Sequence, residues 1–341
     1  MTTIEIAELK ELLNKKQHIV IVPHRNPDGD ALGSTLALYQ YLKQFDKHEV
    51  SLISPNNYPE FLQWLPGQEE IIQFHKNTAE AKELIAEATL IFTLDFNDLS
   101  RVGHDMQYAL QGNREATFVM IDHHQAPSDY AKYTYSDTNI GSTCQLLYMW
   151  LEQLEETSKI TKDMATCLYT GIVTDSGSFR FPSTSSLTHR IVANLIDLGI
   201  DNAAIHNSVY DQNSEDRLRL QGVALQNLRV LPEYRTAYIT LSEEELQANN
   251  FKKGDTEGFV NFGLSVKGII FAVIFIENKD DGIIKISLRS KGDFNVNEFS
   301  RAHFQGGGHN NAAGGKSDLT LDETVENFVK LIENYKEALN K

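Results

Sequence analysis

Short apolar, β-rich runs alternate with amphipathic stretches from the start of the chain to about residue 200. The runs are HIVIVP over His18 to Pro23, EVSLIS over Glu49 to Ser54, TLIFTLD over Thr89 to Asp95 and TFVMID over Thr117 to Asp122. Between and after them, helical periodicity spans Ala31 to Phe45, Thr78 to Glu87, Gly141 to Glu155 and Thr161 to Ile172. Strands feeding helices in this order predict an α/β domain whose parallel sheet carries helices on both faces.

The pattern changes around residues 184 to 230, where the chain is polar and helical and has no strand-like run. After Pro232, three strand-like runs, Arg235 to Leu241, Ile269 to Glu277 and Gly282 to Leu288, are joined by helices around Thr256 to Leu264 and Val296 to His303. A closing helix is predicted over Leu321 to Leu339. The reading is therefore a first domain over 1–200, a helical connector over 201–230 and a smaller α/β domain over 231–341, with no internal repeat.

Composition narrows the classes of function. The N-terminus, MTTIEIAELKELLNKK, lacks the basic start and apolar stretch of a secretory signal, and the longest apolar run, Gly268 to Ile276, is far too short to cross a bilayer, so a soluble cytoplasmic protein with no membrane partner is expected. A formal charge of −16 argues against holding long duplex nucleic acid, which needs a broad cationic surface. Any nucleic-acid partner should be short. The two cysteines, Cys144 and Cys167, lie among apolar helical residues and are expected in the core.

The candidate chemistry gathers where strands end. His24, Asp28 and Asp30 lie in HRNPDGD, directly after the first run, where Pro27 and Gly29 shape a turn. Asp95 ends the third run, Asp122-His123-His124 ends the fourth, and Asp175 follows a helical segment in GIVTDSGSFRF. Each has a plain alternative as a cap or turn residue. Among them His24, Asp28, Asp30, Asp95, His123 and Asp175 set four carboxylates and two imidazoles on one sheet edge, which would repel one another if bare and which two divalent cations would neutralise. Mixed nitrogen and oxygen donors suit Mn²⁺ better than Mg²⁺. A second constellation runs from Ser287 and Arg289 through GGGHNNAAGG at Gly306 to Gly315, with four Lys or Arg against two Asp or Glu between Ser287 and Lys316. That local cationic patch suits a phosphate, with a flexible loop as the alternative for the glycines. Arg101, near Asp95 in sequence, could face the same phosphate.

HRNPDGD, Asp95, the DHH triplet, Asp175 and GGGHNNAAGG, in this order, resemble the DHH phosphoesterase superfamily, in its first subfamily with a DHH-associated C-terminal domain. The resemblance covers nearly the whole chain and implies an active site in the interdomain cleft. It implies two Mn²⁺ ions, His24 and Asp28 on one, Asp30, His123 and Asp175 on the other, and Asp95 bridging both. Asp122 and His124 would support the ligands or face substrate. Ser287, Arg289, Gly307, His309 and Asn310 would present the phosphate and base. The implied reaction is attack on phosphorus by a hydroxide shared between the ions. The implied substrates are short single-stranded RNA (nanoRNA) and 3′-phosphoadenosine 5′-phosphate (pAp), with cyclic-di-AMP or pApA as the alternative. A pyrophosphatase or exopolyphosphatase and a non-catalytic nucleotide-binding regulator are more distant readings, and a homodimer is one assembly the chain allows.

Overall fold

The computed structural model describes residues 3–279 and 281–341. The chain forms two compact units, Met1–Gln212 and Asn213–Lys341. In chain order the first unit holds α1 (Thr3–Leu13), β1 (His18–Pro23), α2 (Gly29–Lys43), β2 (Glu49–Ser54), β3 (Ile71–Gln73), α3 (Thr78–Glu87), β4 (Leu90–Leu94), α4 (His104–Gly112), β5 (Thr117–Asp122), β6 (Tyr133–Ser136), α5 (Thr143–Gln153), α6 (Lys162–Asp175), α7 (Ser186–Asp197) and α8 (Asn202–Tyr210). Its six strands run in the order β3-β2-β1-β4-β5-β6, all parallel.

Alternate strand residues go to opposite faces, and both faces are covered. Ile19 and Ile21 of β1 and Phe92 of β4 pack into one core with α2, α5 and α6, while Val20, Val22 and Ile91 pack into another with α3 and α4. This is why the strands read as continuous apolar runs rather than alternating ones. Each fully buried Ile, Leu or Phe stabilises the fold by about 1.5–3 kcal/mol. The sheet order reverses between β1 and β4, so their following loops diverge and open a crevice at the strands' carboxyl ends.

Helix α2 starts in that crevice and is buried at 13 of its 15 residues, so it is an internal helix rather than a surface one. It lies tightly against α5 and α6. A Cβ on Gly33 would fall 2.5 Å from the Cys167 carbonyl oxygen, and one on Gly171 would fall 2.2 Å from Cys144 Sγ. Both cysteines are buried and free in this packing, as their apolar neighbours predict.

The second unit holds α9 (Glu215–Gln226), β7 (Arg229–Leu231), β8 (Thr236–Leu241), α10 (Glu243–Ala248), α11 (Val260–Ser265), β9 (Phe271–Asn278), β10 (Ile283–Ser290), α12 (Val296–His303), β11 (Gly307–His309), β12 (Ala312–Ser317), α13 (Leu321–Glu333) and α14 (Lys336–Leu339). Its sheet order is β11-β12-β10-β9-β8-β7, antiparallel except for the β8/β9 pair. Helices α8 and α9 of the anticipated connector fall in the first and second unit respectively. The glycine segment is not an open loop but forms β11 and β12, because Gly306, Gly308 and Gly315 let backbones approach where a Cβ would clash. The single closing helix predicted from Leu321 is two helices: Asn334 caps α13, and Tyr335 leaves the helical path to pack its ring on Phe294 and Phe299. Among the described residues, no helix is long and apolar enough to cross a membrane.

Candidate functional site

Register places the strand-end residues. Pro23 pairs with Leu94 and Leu94 with Ile121, so the next residues, His24, Asp95 and Asp122, follow one another across three adjacent strands, about 4.8 Å per strand. Asp28 caps α2, its Oδ1 accepting the backbone N–H groups of Asp30 and Ala31 at 3.1 Å each. Asp30 lies in the first turn of α2, and Asp175 ends α6. Two residues here hold left-handed backbone, Asn26 (φ 55°) and Asp95 (φ 67°). Asn26 is tied to Asn56, whose Oδ1 accepts from the Asn26 N–H at 2.7 Å and whose Nδ2 donates to Asn26 Oδ1 at 2.8 Å.

The imidazoles are oriented by their Nδ1 atoms. His24 Nδ1 lies 2.9 Å from the Arg25 carbonyl oxygen and His123 Nδ1 lies 3.2 Å from that of Ile140. A carbonyl accepts only, so both rings carry the proton on Nδ1 there and present Nε2 inward, the arrangement that supports a metal-ligating histidine. His24 Nε2 faces Asp95 Oδ2 at 3.4 Å and Asp28 Oδ2 at 3.9 Å. His123 Nε2 faces Asp175 Oδ2 at 3.1 Å, Asp95 Oδ1 at 3.5 Å and Asp30 Oδ2 at 3.9 Å. His124 Nδ1 is 2.7 Å from Asp122 Oδ1, and the other oxygen of that fully buried carboxylate has no hydrogen-bond partner among the described residues.

The cluster is electrostatically incomplete as a set of side chains. Burial, followed by the Asp95 charge, raises the Asp28 carboxyl to about 6. Burial with the charges of Asp95 and Asp175 lifts Asp30 well above the usual carboxylate range. Asp95 goes the other way: burial would raise it, but the His24 hydrogen bond and the facing histidines hold it well below that range. Burial opposes protonation of His24, yet the hydrogen bond to Asp95 and the charge of Asp28 raise it to about 9. His123 is raised likewise against burial, chiefly by Asp175. Protons thus do the neutralising that a cation in the cluster would do instead. Three overlapping donor sets, each with ligand atoms within 4.8 Å of one another, are His24, Asp28 and Asp95; Asp30, Asp95 and His123; and Asp95, Asp122 and His124. Asp95 belongs to all three. Nitrogen and carboxylate donors without thiolate fit Mn²⁺, Fe²⁺, Co²⁺ or Zn²⁺ better than Mg²⁺.

The first unit therefore brings His24, Asp28, Asp30, Asp95, Asp122, His123, His124 and Asp175 together. Arg101 lies in a short 3-10 helix, Leu99–Val102, where its carbonyl accepts from the Arg25 N–H at 2.8 Å while its side chain is exposed. Sequence reasoning missed Thr143 and Cys144, which bond directly to Asp30. The signal was Ser142, a helix cap ahead of an apolar run, which places backbone donors at that point of the chain.

In the second unit, Arg289 pairs with Ala312 and Ala312 with His309, while Ser287 pairs with Gly314 and Gly314 with Gly307. Directly opposed residues share a sheet face, so Ser287, Arg289, Gly307 and His309 lie on one face. Asn310 follows, its carbonyl accepting from the Val296 N–H at 2.7 Å. Burial lowers the Arg289 guanidinium from its ordinary value, opposed by the nearby Glu257 charge, and burial raises Glu257.

Residues 18–172 match the DHH family, N-terminal domain, and residues 237–338 match the DHHA1 domain. The chain is 28% identical over 313 residues to the probable bifunctional oligoribonuclease and PAP phosphatase NrnA of Streptococcus mutans, covering 92% of this chain and 93% of that one. It is 27% identical over 338 residues to the cyclic-di-AMP phosphodiesterase GdpP of Bacillus subtilis, covering 97% of this chain and 50% of that one. The crystal structure of an exopolyphosphatase-related protein from Bacteroides fragilis superimposes with a TM-score of 0.96 at 38% identity, covering 100% of this chain and 98% of that one.

Proposed function

The chain belongs to the DHH family, as a phosphoester-hydrolysing enzyme with a DHH N-terminal domain and a DHHA1 domain, and we propose that it cleaves short oligoribonucleotides to mononucleotides and pAp to AMP with two Mn²⁺ ions. In this reading His24 and Asp28 hold one ion, Asp30, His123 and Asp175 hold the other, and Asp95 serves both. The observation that carries it is the position of Asp95, whose two carboxylate oxygens face His24 on one side and His123 on the other. Two ions held there would supply positive charge to the phosphoryl oxygens and acidity to the attacking water.

The remaining work falls to the chain. Asp122 accepts from His124 Nδ1 and so leaves Nε2 as the ring atom that exchanges a proton with the leaving oxygen. Arg289 grips a phosphate through its planar fork, and Ser287 from β10, Gly307 and His309 from β11 and Asn310 from the turn after β11 position the nucleotide. The exposed side chain of Arg101 serves a second phosphate. The names of the NrnA relatives support short oligoribonucleotides and pAp as substrates, and those of the GdpP relatives support cyclic-di-AMP, which with its linear product pApA is the second reading.

The test is turnover of pAp, a short RNA ladder, pApA, cyclic-di-AMP and pyrophosphate, before and after chelation and on adding back Mn²⁺. Chelation should abolish activity and Mn²⁺ restore it, with pAp and the RNA ladder turned over fastest. Predominant hydrolysis of pyrophosphate would overturn the substrate assignment. Asp95→Asn, which keeps the side-chain shape, should lower turnover at least about 100-fold, beyond the usual loss for a supporting residue. Unchanged turnover would sink the proposed ligand set.

A further inference from the structure

Thr143, the first residue of α5, carries three features that capping does not explain. The capping hydrogen bond of α5 is made by its neighbour, with Ser142 Oγ accepting from the Gln145 N–H at 3.1 Å. The Thr143 hydroxyl is therefore available for something else, and it donates to Asp95 Oδ1 at 2.9 Å. Its backbone N–H donates to Asp30 Oδ2 at 2.6 Å, and the next N–H, from Cys144, donates to Asp30 Oδ1 at 2.9 Å. Thr143 is wholly buried, as are Asp30 and Asp95 to within 2%. One residue thus joins two carboxylates that arrive from different elements, α2 and the end of β4.

The consequence is rotational. A carboxylate on a single χ2 axis turns freely unless its oxygens are tied. Thr143 ties Asp95 Oδ1 on the side of His123, 3.5 Å away, which turns Oδ2 towards His24 at 3.4 Å. Asp30 is held at both oxygens by the start of α5 and cannot turn at all. Hydrogen bonds to a charged carboxylate are short, strong and directional.

We infer that Thr143 is a positioning residue, its hydroxyl fixing the plane of Asp95 and its backbone that of Asp30 so that the two carboxylates serve two divalent ions. This rests on the two-ion reading above, and the experiment separates the two. Mn²⁺ affinity and stoichiometry are measured on the full chain by titration calorimetry and by loss of the free-ion electron paramagnetic resonance signal. The variants are Thr143→Val, which keeps the shape and both backbone donors, and Thr143→Ser, which restores the hydroxyl. Wild type should bind two ions, Thr143→Val should bind Mn²⁺ at least about tenfold more weakly, and Thr143→Ser should stay within about threefold of wild type. Thr143→Val should melt like wild type in chelator, because a purely structural role would show there.

If the valine cannot be accommodated, Thr143→Ser and Thr143→Ala decide the matter, since both lack the methyl and they differ only in the hydroxyl. Equal Mn²⁺ affinity in wild type and Thr143→Val, or in the serine and alanine variants, overturns the role of Thr143 and leaves the metal reading standing. Failure of wild type to bind Mn²⁺ overturns both.

Discussion

Asp95 illustrates what single residues conceal. As the last letter of TLIFTLD it reads as a strand end, and that much is legible. Its left-handed backbone is not, because even Asp, though enriched there over most residues, adopts that region only in a minority of cases and no glycine marks the spot. The conformation costs about 1–3 kcal/mol, and such strain gathers at functional sites. Thr143 was hidden for a different reason: its tie to Asp95 spans 48 positions and leaves no local pattern. His303 in α12 offers a prediction at this scale. Burial lowers its pKa below the ordinary value, and its Nε2 lies 2.7 Å from the Tyr335 hydroxyl, which a neutral ring can accept. The folded chain then binds fewer protons here than the unfolded one just below the unfolded value of about 6.5. This contribution to stability is present above that value and is lost as pH falls through the lower, folded one. Between pH 7.5 and 5.5 the melting temperature of wild type should fall more than that of His303→Gln, and parallel curves would count against the assignment.

Elements were legible in proportion to their length and burial. The four apolar runs of the first domain appear as β1, β2, β4 and β5 nearly to the residue, because strands covered on both faces are apolar throughout. Strands β3, with three residues, and β6, with four, are too short to show a period. The glycines of β11 and β12 argue against a strand by propensity, and Gly308 and Gly315 meet a tertiary requirement, close approach of backbone or side chain where a Cβ would clash. Helix packing gives a prediction here. Gly33→Ala would push a methyl to 2.5 Å from a backbone oxygen of α6, which cannot move aside alone. The variant should lose about 1–3 kcal/mol, read as a drop of several degrees in melting temperature. A wild-type melting curve would show that α2 and α6 can separate without cost.

At the scale of the whole chain, charge speaks to the size of a nucleic-acid partner and cysteine usage to the core, but neither says how the two units divide the labour. The six proposed ion ligands, His24, Asp28, Asp30, Asp95, His123 and Asp175, belong to the first unit, and Arg289 belongs to the second. Arg289→Ala should therefore leave the number and affinity of bound Mn²⁺ ions unchanged while raising KM for pAp about 10- to 100-fold, the worth of a hydrogen-bonded charge. Arg289→Lys should not rescue it, since an ammonium cannot grip two oxygens at once. Altered Mn²⁺ binding in either variant would contradict this division. The row formed by His24, Asp95 and Asp122 carries one more consequence. Their separation is two strand spacings, a length set by the backbone ladder of β1, β4 and β5 and by nothing in the loops. The sheet works as a ruler that sets the spacing of this row before any guest arrives. Exchanging one ion for another should accordingly leave the host unmoved, and differences among metals should appear in their chemistry rather than in the shape of the protein.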